Sequence, residues 1–292
     1  MCDEFSDEQE TGAELGDKLG LSRRDFTALG ASVALAGCAG SAGGGQGSDL
    51  AERMVSITTA DGVCDAFFVH PAKGSHPGVV MWPDIAGLRE AKKVMARSLA
   101  ARGYAVLAVN QYYRSSPSPV LESFAQWRTP EGRERIAPMR EELTSEAVTR
   151  DAGAYVAFLD TQDAVDKQRK IASNGYCMGG PFTVRTAAAV PGRVGAAASF
   201  HGAGLVTGAP DSPDALLAGT EAAYLFAIAR NDDEREPDHK TILREKAASA
   251  GRPAEIEVYD ADHGWCVPDS PAWDAEEADR AFKRMLALFE GL

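Results

Sequence analysis

The chain has 292 residues, 45% hydrophobic and 25% charged, enough to bury one large core. It carries 43 acidic against 30 basic side chains, a formal charge of -13, and a surface of that sign repels phosphate backbones and argues against a nucleic-acid partner. The five cysteines match no paired Cys-x-x-Cys spacing, which argues against a structural zinc site.

Residues 1–20 are polar and acidic and do not read as part of a fold. Ser22-Arg23-Arg24-Asp25-Phe26 follows, then a weakly apolar run from Thr27 to Gly37, too short to span a bilayer as a helix. An arginine pair ahead of such a run resembles a twin-arginine export signal. Leu35-Ala36-Gly37-Cys38 resembles a bacterial lipobox, in which Cys38 is lipidated and becomes the first mature residue. The Gly- and Ser-rich stretch Ala39 to Ser48 reads as a flexible tether. The expected organisation is a signal over 1–37, a lipidated cysteine and tether over 38–53, and one folded domain over 54–292. Such a protein works on the periplasmic or outer side of the membrane, touching it through its lipid alone. A disordered acidic tail with a chance apolar patch is the competing reading. The oligomeric state leaves no signature.

From residue 54 short apolar strands alternate with longer amphipathic runs. Met54–Thr59 and Val63–Val69, separated by Ala60-Asp61-Gly62, predict a hairpin. Gly78–Trp82 is continuously apolar, as a strand covered on both faces should be. Leu88, Ala91, Val94, Met95 and Leu99 recur at helical spacing between Gly87 and Arg102, and Tyr104–Val109 is a second buried strand. Pro117, Pro119, Pro130 and Pro138 break residues 110–140 into a surface excursion, read as a helical flap beside a site. A helix resumes near Glu141 and runs to Leu159. Further strands are predicted at Ile171–Tyr176, Val194–Phe200, Tyr224–Ala229 and Ala254–Tyr259, with helices at Pro181–Val190, Asp238–Ala250 and Glu276–Phe289. This alternation predicts a single α/β domain with a mostly parallel sheet, helices on both faces and antiparallel strands at one edge. The first strand–turn–helix has no glycine fingerprint, which argues against a dinucleotide-binding fold.

The sharpest chemical signal is Gly175-Tyr176-Cys177-Met178-Gly179-Gly180, which follows a strand and opens a helix. It has the form of a nucleophile elbow, Gly-x-Nuc-x-Gly, with cysteine where serine is usual. The glycines admit a turn too tight for a Cβ, and the helix aims its free N–H groups at the thiol, an environment that favours a thiolate. A buried cysteine at a glycine-rich helix start is the plainer alternative. Of five histidines, His263 follows a late strand and precedes the last helix, the chain order expected of the base; His201, at an earlier strand end, reads as a structural or pocket-lining residue. The orienting acid should lie between the two, and Asp232 is preferred over the adjacent Asp233. Oxyanion donors are expected from the backbone N–H of Met178 and from the loop near Ile85. Cys64 reads as a small buried hydrophobe, with a Cys64–Cys266 disulfide as a lesser alternative.

At these residues the chain resembles the dienelactone hydrolase family (carboxymethylenebutenolidases), over roughly residues 54–290. The resemblance implies an α/β-hydrolase fold, a Cys177–His263–Asp232 triad, no metal or organic cofactor, and a small ester or lactone as substrate. It also implies an acidic residue against the resting cysteine, which falls on Asp84, shorter than the usual glutamate. One substrate-carboxylate arginine falls on Arg114; a second, expected just after the histidine, has no counterpart in His263-Gly264-Trp265-Cys266-Val267, where Trp265 offers an aromatic wall. A non-catalytic, lipid-anchored binding protein on the same scaffold is the reading from a different class.

Overall fold

The computed structural model describes residues 49–292, so the expected signal, Cys38 and most of the tether lie outside the described residues. Strands β1 (Leu50–Thr59) and β2 (Gly62–Pro71) form the edge hairpin, closed by the pair Thr59 and Gly62. Strand β1 starts four residues before its expected boundary, because Leu50 to Arg53 pair with Pro71 to Phe68 rather than trailing as linker. Next come β3 (Gly78–Trp82), α1 (Glu90–Ala100) and β4 (Ala105–Val109). The excursion folds as α2 (Phe124–Arg128) and α3 (Pro130–Glu141), followed by α4 (Ser145–Thr161). Strand β5 (Ile171–Tyr176), a single turn of 3-10 helix over Cys177–Gly179 and α5 (Gly180–Ala189) build the elbow region. The chain finishes with β6 (Val194–Phe200), a short α6 (Pro213–Leu216), β7 (Ala223–Ala229), α7 (Arg230–Arg235), α8 (His239–Ser249), β8 (Ala254–Tyr259) and α9 (Ala275–Phe289).

The strands make one eight-stranded sheet in the order β1-β2-β4-β3-β5-β6-β7-β8. β1 and β2 are antiparallel to their neighbours, and the other pairings are parallel. Alternate side chains of the buried strands feed two cores, as a period of two requires. Val80 and Trp82 of β3 join α4, α5 and α8 on one face, while Val79 and Met81 join α1 and α9 on the other. Each such side chain taken fully from water contributes roughly 1.5–3 kcal/mol. Trp82 donates its indole N–H to Thr186 Oγ1 at 2.9 Å, so burying its polar atom costs little and ties β3 to α5.

The flap has a core of its own, in which Ile136 of α3 packs with Val120, Leu121, Tyr112 and Ile85. Pro138 sits inside α3 instead of breaking it. The helix is only three turns long, with Pro130 at its start and Thr129 capping the Gly132 N–H, so the lost hydrogen bond falls on an exposed segment. All the chemically interesting positions emerge at the carboxyl ends of β3, β4, β5, β6, β7 and β8, the edge of such a sheet where ligands bind.

Candidate active site

Cys177 leaves β5 in the left-handed region, at φ 53, a conformation costly for a residue with a Cβ and typical of a nucleophile thrown clear of its sheet. The flanking glycines are sterically required. A Cβ on Gly179 would lie 2.5 Å from the Pro83 carbonyl oxygen, and one on Gly175 would strike the Gly179 backbone. Both amide groups of Cys177 are tied to the turn after β6: its N–H donates to His201 Nδ1 at 3.1 Å, and the Ala203 N–H donates to its carbonyl at 3.3 Å. The thiol is partly exposed, at the N-terminal end of α5, whose first turn holds Pro181. That end supplies a partial positive charge.

His263 arrives from the turn after β8 and lines the cleft together with Cys177. Its Nδ1 bonds Asp232 Oδ2 at 2.6 Å, and its backbone N–H is accepted by Asn231 Oδ1 at 2.9 Å. The turn is held against β7 by Arg230 N–H donating to the Ala261 carbonyl at 2.9 Å. Burial works against protonation of His263, but the hydrogen bonds and charges of Asp232 and Cys177 outweigh it and lift the imidazole to about 10. Asp233 turns away and takes both carboxylate oxygens to Lys240 Nζ at 2.6 Å, so the two adjacent acids have separate partners. The other oxygen of Asp232 accepts from Arg235, one turn along α7.

Ile85 and Met178 line the cleft with Cys177. The Ile85 peptide is oriented from two sides: Tyr112 Oη donates to its carbonyl at 2.8 Å, and Asp84 Oδ1 accepts the Ala86 N–H at 2.9 Å. Tyr112 Oη also reaches Met178 Sδ at 3.9 Å, so one hydroxyl touches both residues of the expected oxyanion site.

Asp84, expected against the thiol, is not among the residues lining the cleft. It is buried between Arg89, at 2.8 Å, and Lys92, at 2.8 Å, and Arg89 extends to Asp269 at 2.7 Å. Burial would raise the Asp84 carboxyl, but the charges of Arg89 and Lys92 hold it well below the usual carboxylate range. Its charge is spent inside this quartet, so Asp84 shapes the Ile85 loop and does not meet substrate. Arg114 is displaced likewise. Its guanidinium makes two 2.8 Å bonds to the buried Asp151 and one of 2.6 Å to Asp61, and it does not line the cleft. Trp265 is fully buried, stacked on Tyr259 at 5.0 Å and edge-on to His201 at 5.1 Å, so it backs the histidines and does not wall the cleft. Cys64 and Cys266 are both free and buried, without the disulfide.

The cleft encloses about 1000 Å³. Phe124 and Trp127 of the flap face Cys177 and His263 across it, and two cations, Arg140 and Arg235, line it. Arg235 is engaged with Asp232, whereas Arg140 has no carboxylate partner among the described residues. Neither arginine was singled out from sequence; Arg140 ends a flap helix whose orientation no local pattern encodes. Asn231 and Tyr112 were missed too, although Asn231 abuts the chosen acid and Tyr112 lies two residues before Arg114.

Residues 64–292 match the model of the dienelactone hydrolase family. The chain is 29% identical over 230 residues to a carboxymethylenebutenolidase of Rhodococcus opacus, covering 74% of this chain and 82% of that one. A solved structure from Klebsiella pneumoniae superposes with a TM-score of 0.71 at 22% identity, over 83% of this chain and 99% of the other. A dienelactone hydrolase-like promiscuous phosphotriesterase from metagenomic libraries gives 0.66 at 23% identity, over 82% and 98%.

Proposed function

Since the chain belongs to the dienelactone hydrolase family and is a hydrolase of that family, we propose that it cleaves a carboxylic ester or lactone through Cys177, with dienelactone-like compounds among its substrates. One observation carries this reading: a left-handed Cys177 that shares its cleft with a His263 whose Nδ1 is held by Asp232 at 2.6 Å. His263 takes the thiol proton, and the resulting imidazolium stabilises the thiolate beside it. Sulfur attacks the carbonyl carbon, and the oxyanion is received by the N–H groups of Met178 and Ile85. The C–O bond breaks, His263 returns its proton to the leaving alkoxide, and an acyl-thioester remains. A water then loses its proton to His263, adds to the thioester and releases the acid, and the proton passes back to the thiolate. In a lactone, alcohol and acid stay on one molecule.

The test is turnover of small aryl esters and of an anionic dienelactone by the chain and by Cys177→Ala. The wild type should hydrolyse them and the variant should lose roughly 10⁴-fold or more in kcat, as loss of a nucleophile does. Equal rates in both would exclude Cys177, and binding without turnover across the panel would leave a binding protein on a hydrolase scaffold.

We also infer export and lipidation at Cys38, supported by the order of arginine pair, apolar run, lipobox and Gly/Ser tether. The mass of the N-terminal peptide from cells checks it: a diacylglyceryl adduct on Cys38 is expected, and an unmodified residue 1 or 2 at the terminus would refute it.

A further inference from the structure

We propose that His201 is a positioning residue for this reaction, one buried ring that accepts the nucleophile's own amide hydrogen and packs against the imidazole of the base. The inference rests on the hydrolase reading above.

His201 directly follows β6, at φ 39, the second left-handed non-glycine residue among the described residues besides Cys177. Its N–H donates to the Ala227 carbonyl at 2.8 Å, which anchors the turn to β7. Its side chain is 1% exposed. Nδ1 accepts from Cys177 N–H at 3.1 Å, and the ring centroid lies 4.7 Å from that of His263. The same side chain therefore touches both reacting partners from behind. Cys177 opens a 3-10 turn, so its N–H has no partner within that turn, and Nδ1 supplies the acceptor it would otherwise lack.

This bond dictates the state of the ring. Nδ1 must offer its lone pair, so the proton resides on Nε2, which is buried and has no hydrogen-bond partner among the described residues. Burial, reinforced by the positive charge of His263, pushes His201 far below the ordinary imidazole range. A protonated His263 consequently faces a neutral neighbour, and His201 does not compete for the proton in transit. Filling space alone would require only an apolar ring here. The position instead holds a residue whose nitrogen is spent on one backbone amide, that of the strained nucleophile.

Three variants separate these roles: His201→Gly and His201→Asn, both suited to a left-handed backbone, and His201→Phe, which keeps a ring without an acceptor. The measurements are kcat and KM for p-nitrophenyl acetate, the rate at which iodoacetamide alkylates Cys177 as located by peptide mass, and the folded fraction. The Gly and Phe variants should lose roughly 100-fold in kcat with KM within about threefold, the penalty of a misplaced reacting group, and alkylation should slow in parallel. His201→Asn, whose amide oxygen can take the Cys177 N–H, should recover about tenfold of that loss. An Asn variant no better than Gly at equal folded fraction, or a loss confined to KM, would overturn the proposal. Should His201→Phe fail to fold, the Asn–Gly comparison decides. If the wild type hydrolyses no ester, the hydrolase reading fails by itself, while the alkylation rates of the same variants still report whether His201 places the thiol.

Discussion

Around Cys177, position is set by close packing: two glycines that exclude a Cβ, a left-handed φ, an N–H taken by the His201 ring and a carbonyl taken by the Ala203 N–H. Around the flap, position is set by side chains that find partners far away in the chain, with Arg114 on Asp151 and Arg89 bridging Asp84 to Asp269. The nucleophile end tolerates few sequences, because steric exclusion leaves no room for a Cβ at either glycine. Ion pairs are the looser determinant, since charge acts over distance and more than one helix can supply a partner. The turn that carries Cys177 is therefore the more constrained of the two regions, and the ion-paired one the more adjustable.

The strongest way to sharpen that contrast is Asp232→Asn, which keeps the shape of the catalytic end and removes one charge. A loss of roughly 10²–10⁴-fold in kcat is expected, because the imidazole is left without its orienting carboxylate. The pH response supplies a sign. His263 is raised from 6.5 to about 10 in the folded chain, so the charged pair stabilises the fold fully below about pH 6.5, and that contribution is lost as pH rises through about 10. In the variant, the ring titration followed by NMR should fall below 10. The stability gap from wild type should be widest below pH 6.5 and shrink toward pH 10. An unmoved titration would break the assignment.

Next comes Arg89→Ala, which leaves Asp84 and Asp269 without their shared cation. Removing one partner of a buried ionic network costs about 3–5 kcal/mol, and urea melts should show it. A change under about 1 kcal/mol would mean that the quartet is not the support described. The smallest effect distinguishes two arginines. Arg140→Ala should raise KM for anionic esters about tenfold, the equivalent of 1.4 kcal/mol, with neutral esters unaffected. Arg114→Ala should lower stability by about 1–3 kcal/mol through the orphaned Asp151 and show no anion selectivity. The reverse outcome would return Arg114 to the substrate.

Much of this was legible in the order of residues. The buried strands announced themselves as unbroken apolar runs, and Gly175-Tyr176-Cys177-Met178-Gly179 marked its own turn with glycines where a Cβ has no room. His263 and Asp232 followed from chain order at strand ends. What local pattern could not carry was pairing across the sheet. Asp151 lies in the middle of α4, 37 residues from Arg114, and nothing near either residue points to the other. Helix α7 was also hidden, since Arg230-Asn231-Asp232-Asp233 has no apolar stripe to mark it. Once formed, its rotation is what separates Asp232 from Asp233. Lys92 stands at helical spacing from Leu88, Met95 and Leu99, and a cation on that buried stripe must have an acid. Asp84, in the loop before the helix, is that acid.

Asp269 adds a consequence of its own. One of its carboxylate oxygens accepts the Phe124 N–H at 2.9 Å, where the flap begins, and both bond Arg89, which grips the Ile85 loop through Asp84. A single acid thus ties the start of α2 to the Ile85 loop, so losing it would free two segments at once.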